Sequence, residues 1–139
     1  MPDLGVVIDH KIVGPKQLTK YCTHGPSQQY RVQAHLYGRG FQRLGHHTQH
    51  VAIAFLPRDG ELGLAHMWSE PYDEQIAVDA LDRATRISIN IRALTSISEQ
   101  AAVDYINGLP ADPHCYSCPR YPGAPTKPVA ESSAALLNL

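Results

Sequence analysis

The chain has 139 residues, of which 43% are hydrophobic and 18% are charged, and its formal net charge at neutral pH is −1. This length corresponds to one domain of ordinary size, and the hydrophobic content excludes an intrinsically disordered chain. The longest apolar run, residues 51–56, is far shorter than the roughly 20 residues that span a bilayer. No basic segment precedes an apolar one at the start, so we predict no signal peptide and expect a cytoplasmic protein without membrane contact.

The near-zero net charge conceals a strong asymmetry between the two halves of the chain. Residues 1–58 contain seven Lys and Arg but only two Asp, together with six of the eight His. Residues 59–139 contain five Lys and Arg but eleven Asp and Glu. Such an asymmetry is typical of proteins in which one part meets an anionic partner, or in which two copies associate head to tail.

The first half of the chain predicts two strands. Residues 4–8 are a short apolar run, and residues 30–37 alternate between apolar and polar side chains with the period of a half-buried strand. Residues 16–21 are long enough for one helical turn. Residues 38–47 contain three Gly and predict a loop.

A β-hairpin is predicted over residues 51–56 and 61–68. Its connection, residues 57–60, has the sequence Pro-Arg-Asp-Gly, which favours a type I turn because Pro presets φ and Gly accepts a positive φ. If Leu56 faces Glu61, one face of the hairpin carries bulky apolar residues and the other is smooth, with mostly Ala and Gly. We therefore expect both faces to be covered, the smooth one by a helix or by a partner chain.

Two helices are predicted after the hairpin. Apolar residues recur at steps of three and four over residues 72–94, as on one face of a helix. Ser96 and Glu99 have the spacing of a capping box, which predicts a second helix over residues 99–107 that ends at Gly108.

The predicted fold class is α+β. It has a mostly antiparallel sheet of about four strands, with the two C-terminal helices packed on it. Residues 1–110 are predicted to form this single domain. Residues 111–139 are predicted to be a Pro-rich C-terminal extension.

Three cysteines and one histidine predict a structural zinc site. Cys115 and Cys118 form a Cys-x-x-Cys pair in the extension, and Cys22 is followed at two residues by His24. Three thiolates and one imidazole can hold zinc tetrahedrally, and thiols in a cytoplasmic chain favour a metal over disulfides. Such a site would join the extension to the N-terminal region. The alternatives are three inert thiols or a redox-active dithiol at Cys115 and Cys118.

A group of histidines predicts a candidate catalytic site. If residues 30–37 pair antiparallel with the next strand, His35 lies opposite His50, beside the hairpin that carries His66. His35, His50 and either His46 or His66 would then converge, to bind a metal or to act as general acid and base. This group supports an alternative function, a His- or metal-dependent phosphodiesterase or hydrolase.

The Gly-rich segment before the hairpin predicts a binding loop. Its backbone amides could approach an anion, its two Arg could pair with phosphate, and its two aromatic residues could stack on bases. The predicted contact residues are Tyr37, Arg39, Phe41, Arg43 and His47. Further cations would extend this surface if the fold brings them near, namely Lys11, Lys16, Lys20 and Arg31.

The leading hypothesis from the sequence is therefore a small binding protein, expected to be a homo-oligomer. The basic loop would contact a nucleic acid, a nucleotide or an acidic protein, and zinc would hold the extension in place. A third alternative, after the hydrolase, is a protein-binding inhibitor or adaptor that uses the smooth hairpin face.

Overall fold

A computed structural model describes residues 4–110, which divide into two compact units at the boundary between Arg83 and Ala84. Its strands and helices, in chain order, are β1 (Val6–Val13), α1 (Pro15–His24), α2 (Gln28–Arg43), β2 (His50–Pro57), a 3-10 turn (Leu62–Leu64), β3 (His66–Pro71), α3 (Glu74–Thr95) and α4 (Glu99–Gly108). The architecture is α+β, as predicted. The described residues contain three strands and four α-helices, so the predicted four strands and two helices are only partly correct. No helix among them is long and apolar enough to cross a membrane.

The sheet is mixed, with the strand order β1-β2-β3. β1 is parallel to β2, and β2 is antiparallel to β3. The prediction of a mostly antiparallel sheet is therefore wrong for β1. Parallel neighbours need a long crossover connection, and here α1 and α2 supply it. The sequence predicts a helical turn at residues 16–21, within α1, but a strand and a loop where α2 lies.

The β2–β3 hairpin forms, but its register differs from the predicted one. His66 pairs with Phe55, whereas the predicted register would pair it with Val51. The reason is a longer connection, because residues 58–65 leave the ladder and include the 3-10 turn. The register is shifted by an even number of residues, so His66 and Trp68 still lie on the bulky face. Gly60 has a positive φ of 104°, as the turn sequence predicts.

Residues 30–37 belong to helix α2 and not to a strand. The helix begins after Ser27, whose hydroxyl accepts a hydrogen bond from the Tyr30 amide at 3.3 Å. Tyr30, Ala34 and Gly38 are spaced four apart, so they lie on the same side of α2 and face the sheet. The same residues therefore show two patterns, the alternation that predicted a strand and the stripe with a spacing of four that the helix uses. The two interior Gly, which are poor helix formers, concealed the stripe.

One face of the sheet and the two helices of the crossover form the core of the first unit. Val51, Ile53 and Phe55 on β2 are fully buried. Tyr21 of α1 stacks on Phe55 with a centroid distance of 4.5 Å. In this unit the helices that pack on the sheet are α1 and α2, whereas the sequence assigned that role to the two C-terminal helices.

α3 agrees closely with its predicted range, and α4 begins at the predicted residue. The predicted capping box is wrong, because the cap of α4 is Ser98, whose hydroxyl accepts a hydrogen bond from the Ala101 amide at 3.0 Å. Ser96 instead donates to the Ala93 carbonyl at 2.7 Å.

Gly38 packs tightly against Tyr72 and against Val51 of the sheet. A Cβ at this position would lie 2.6 Å from Cδ2 of Tyr72 and 3.2 Å from Cγ1 of Val51. We expect Gly38→Ala to destabilise the fold by about 1–3 kcal/mol, because the ring and the helix must separate. The matched control is Gly40→Ala in the same helix, where a Cβ meets nothing within 4 Å and should stabilise by about 0.5–1 kcal/mol. Urea denaturation measures both, and equal effects would contradict the tight contact.

Candidate functional site

A buried polar cluster joins α2 to β3. His35 is 0% exposed, and its Nε2 lies 2.6 Å from Oε1 of Glu70. The same oxygen accepts a hydrogen bond from Nε of Arg31 at 2.6 Å. Nδ1 of His35 accepts a hydrogen bond from the backbone amide of Asp73 at 3.2 Å. An accepting Nδ1 carries no proton, so the ring is neutral and Nε2 donates to Glu70.

This arrangement gives His35 a role in holding the fold together. Both ring nitrogens are engaged, and the ring has no contact with solvent. The sequence named His35 as a candidate general acid or base, but neither nitrogen faces a surface where a substrate could bind. Arg31 was named as a candidate anion contact, and it is instead paired with Glu70.

The other candidate histidines do not converge with His35. His50 is exposed at the start of β2. His66 pairs with Phe55, which is five residues further along β2 and therefore about 16 Å from His50. His46 is exposed and lies against Phe41, with ring centroids 5.7 Å apart. The expected convergence required residues 30–37 to be a strand. Within residues 4–110 no group of three His, Cys, Asp or Glu side chains could hold a metal.

The predicted zinc ligands are described only in part. Cys22 and His24 are exposed on α1, and two residues on a helix are about 200° apart, so the side chains leave opposite sides. Cys22 lines a mainly apolar cavity of about 370 Å³, together with Leu18 and Pro57. Cys115 and Cys118 lie outside the described residues, and the zinc site stays a prediction.

The predicted binding loop is mostly helix. Residues 37–43 form the last two turns of α2, so the amides of Gly38 and Gly40 belong to helical hydrogen bonds. The backbone cradle that these glycines were expected to offer an anion is therefore absent from this helix. Arg39 is also engaged, because its Nε lies 3.2 Å from Oε1 of Glu74.

The exposed side of α2 nevertheless carries the predicted aromatic residues. Tyr37 and Phe41 are one helical turn apart and are 43% and 46% exposed. Leu44 follows at the end of the helix and is also exposed. Gly40, three residues after Tyr37 and next to Phe41, is also exposed. We call these four residues the outer face of α2.

A chain of polar contacts holds Tyr37 in place. Its hydroxyl accepts a hydrogen bond from Nε2 of Gln33 at 2.7 Å. Oε1 of Gln33 accepts one from Nζ of Lys11 at 2.6 Å. Nζ of Lys11 also lies 2.9 Å from Oδ2 of Asp9, an ion pair whose angles do not make a hydrogen bond. The same ammonium group lies 4.7 Å from the centroid of the Tyr30 ring. Lys11, a predicted anion contact, is thus neutralised within the fold.

The helical layer formed by α1 and α2 is strongly basic. From His10 to Arg58 the sequence contains no Asp or Glu, and five Lys and Arg lie in the two helices. Arg31 and Arg39 are paired with carboxylates from β3 and α3. The remaining three cations of the layer are exposed and form no ion pair in the part of the chain that the structure describes: Lys16, Lys20 and Arg43.

Comparison of the chain with protein-family models, with curated proteins and with solved structures finds no significant match.

Sequence reasoning missed two features of this surface. The sequence predicts a loop at Gly40, and its place on the exposed side of α2 becomes apparent only when α2 is known to be a helix. Glu70, the acceptor for both His35 and Arg31, is separated from them by 35 and 39 residues. No local pattern in the sequence links residues so far apart.

Tyr72, which stacks on His35, makes the stability of the fold sensitive to alkaline pH. Burial raises its pKa, and the nearby carboxylate of Glu74 raises it further. The folded state therefore holds this proton more tightly than the unfolded state, and the resulting stabilisation is complete below the unfolded pKa of 10.0 and is lost at higher pH. We expect Tyr72→Phe to reduce the loss of stability between about pH 7 and pH 11 in urea denaturation.

At neutral pH the same variant should be as stable as the wild type or more stable by up to about 1 kcal/mol. The reason is that the buried Tyr72 hydroxyl has no hydrogen-bond partner among residues 4–110. Tyr21, whose pKa is also raised by burial, remains in the variant, so part of the alkaline loss should persist. An alkaline loss identical to that of the wild type would contradict the assignment to Tyr72.

Proposed function

We propose that the protein binds single-stranded nucleic acid through the helical layer of α1 and α2. The observation that carries this proposal is the charge of the layer, which contains five Lys and Arg and no Asp or Glu. Three of those cations have no carboxylate partner among the described residues and are free to pair with phosphate. A polyanion is the ligand that such a surface attracts most strongly.

The outer face of α2 supports a single strand over a duplex. Tyr37 and Phe41 expose their rings on the same side of the helix, and His46 extends the aromatic surface beside Phe41. Bases can stack on such rings only when they are not paired in a duplex. Each stacked base contributes about 1–3 kcal/mol, whatever its identity.

Gly40 adds an independent argument for a ligand on this face. Glycine inside a helix costs about 1 kcal/mol relative to alanine. Gly38 offsets that cost by its contact with Tyr72, but nothing packs near Gly40. The missing side chain leaves the backbone open on the exposed side of the helix, beside Tyr37 and Phe41, where a ligand can approach it.

The free cations lie on both helices of the layer. Lys16 and Lys20 are exposed on α1, which packs against the start of α2 through Tyr21 and Tyr30, whose ring centroids are 5.8 Å apart. Arg43 is the last residue of α2, about 20 Å from Tyr30 along the helix. Arg43 lies two residues after Phe41, about 200° around the helix, so a strand whose bases stack on the outer face must curve around the end of α2 to pair with this cation.

Titration of a labelled single-stranded oligonucleotide, followed by fluorescence anisotropy at several salt concentrations, tests the proposal. Tyr37→Ala and Phe41→Ala should each weaken binding by about 5- to 100-fold, with the salt dependence unchanged, because stacking is lost and no phosphate contact is. Lys16→Ala with Lys20→Ala should lower the slope of log K against log salt by about 0.7 per cation lost.

The matched controls lie outside the layer. Arg83→Ala removes an exposed cation of α3, and Leu62→Ala removes an exposed apolar side chain, so neither should change the affinity. The proposal is overturned if the wild type shows no salt-dependent binding to single-stranded DNA or RNA at about 50 mM salt.

Gly40→Ala separates ligand contact from stability. A Cβ at this position should raise the stability by about 0.5–1 kcal/mol, since it improves the helix and meets nothing. It should weaken binding at the same time, because the methyl group occupies the open backbone surface beside Tyr37 and Phe41. A variant that is more stable and binds with unchanged affinity would show that bases do not lie on this face.

A further inference from the structure

α3 presents two faces with different surroundings. The apolar stripe that predicted the helix is half-buried within the molecule, with Ile76, Ile87 and Leu94 among its members. On the opposite side of the helix, Leu81 is 40% exposed and Ile89 is 58% exposed. We call this side, from Val78 to Arg92, the outer face of α3.

The charges of α3 change sign in the middle of the helix. The acidic residues come first and the basic residues second: Glu74, Asp79 and Asp82, then Arg83, Arg86 and Arg92. The helix dipole favours this order only in the first and last turns, so it does not account for Asp82 and Arg86. Asp82 and Arg86 have the spacing of an intrahelical pair, yet neither forms an ion pair with any residue in the range 4–110.

These charges and apolar residues are complementary to themselves under a two-fold rotation. An antiparallel pair of α3 helices crossing at Thr85 sets Leu81 of one copy against Ile89 of the other. The same arrangement brings Asp82 next to Arg86 of the other copy, and each contact occurs twice. A parallel pair would instead align the acidic half of each helix with the acidic half of the other, and the basic half with the basic half, which repel.

We infer that two copies of this chain associate through the outer faces of α3, packed antiparallel. The occupant of this face is a second copy because the helix supplies both halves of the complementary pattern. A contact along one helix is smaller than a standard protein interface, so the dimer is weak and forms in a concentration-dependent way.

Sedimentation equilibrium of the full chain over a range of concentrations tests the inference. Asp82→Arg and Arg86→Asp should each weaken self-association about tenfold, because two attractions become two repulsions. Mixing the two variants in equal amounts should restore association at least to the wild-type level, since one chain then carries two Arg and the other two Asp. An effect within a single helix cannot produce this recovery.

Disulfide trapping reports the direction of packing. Thr85→Cys places a thiol at the two-fold axis and should form a crosslink between copies under mild oxidation, located by mass spectrometry. The matched control is Thr95→Cys, which is also exposed but lies far from its counterpart in an antiparallel pair. Circular dichroism confirms that the exposed substitutions leave the fold intact. The inference is overturned if the wild type stays monomeric at all concentrations, if mixing the charge variants restores nothing, or if position 95 crosslinks as well as position 85.

Discussion

The hydrogen bonds of His35 determine where α2 lies on the sheet. One ring nitrogen contacts Glu70 on β3, and the other accepts from the amide of Asp73 just before α3. The ring of Tyr72 stacks on His35 and occupies the space that Gly38 leaves open. The buried imidazole is tolerated because both of its nitrogens have a hydrogen-bond partner. The ring of Tyr72 packs against the same turn of α2 through His35 and Gly38. The polar and apolar contacts thus fix the same point of α2.

The candidate binding surface depends on this attachment. A helix repeats every 3.6 residues, so fixing Ala34, His35 and Gly38 against the sheet also fixes which residues face outward. Tyr37 and Phe41 are exposed because the burial of these three residues turns the other side of the helix toward solvent. The two interior glycines of α2 lie on these two sides of the helix. Gly38 packs against Tyr72 and Val51, whereas nothing packs near Gly40.

The sequence predicted best the features that depend on local pattern. The range of α3, the faces of the hairpin and the positive φ of Gly60 all agree with the structure, because short-range spacing or turn chemistry determines them. α2 was wrongly predicted, because its inner side is a polar His, a small Ala and a Gly that hydrophobic periodicity does not recognise. Their partners, Glu70 and Tyr72, are more than 30 residues away. Tyr37, Phe41 and Arg43 were chosen for their chemistry, and they are exposed, although on a helix and without the expected backbone cradle.

The long separation between α2 and its carboxylate partners also bears on the order of folding during synthesis. Arg31, His35 and Arg39 pair with residues 39, 35 and 35 positions downstream. While the ribosome is still adding β2, the stretch from residue 10 to residue 57 contains six Lys and Arg and no Asp or Glu. α2 can dock in its final place only after residues 70–74 have left the exit tunnel. Until then the cations of α2 that these carboxylates pair with remain uncompensated, so the two helices of the crossover gain their final place and their charge balance in the same step.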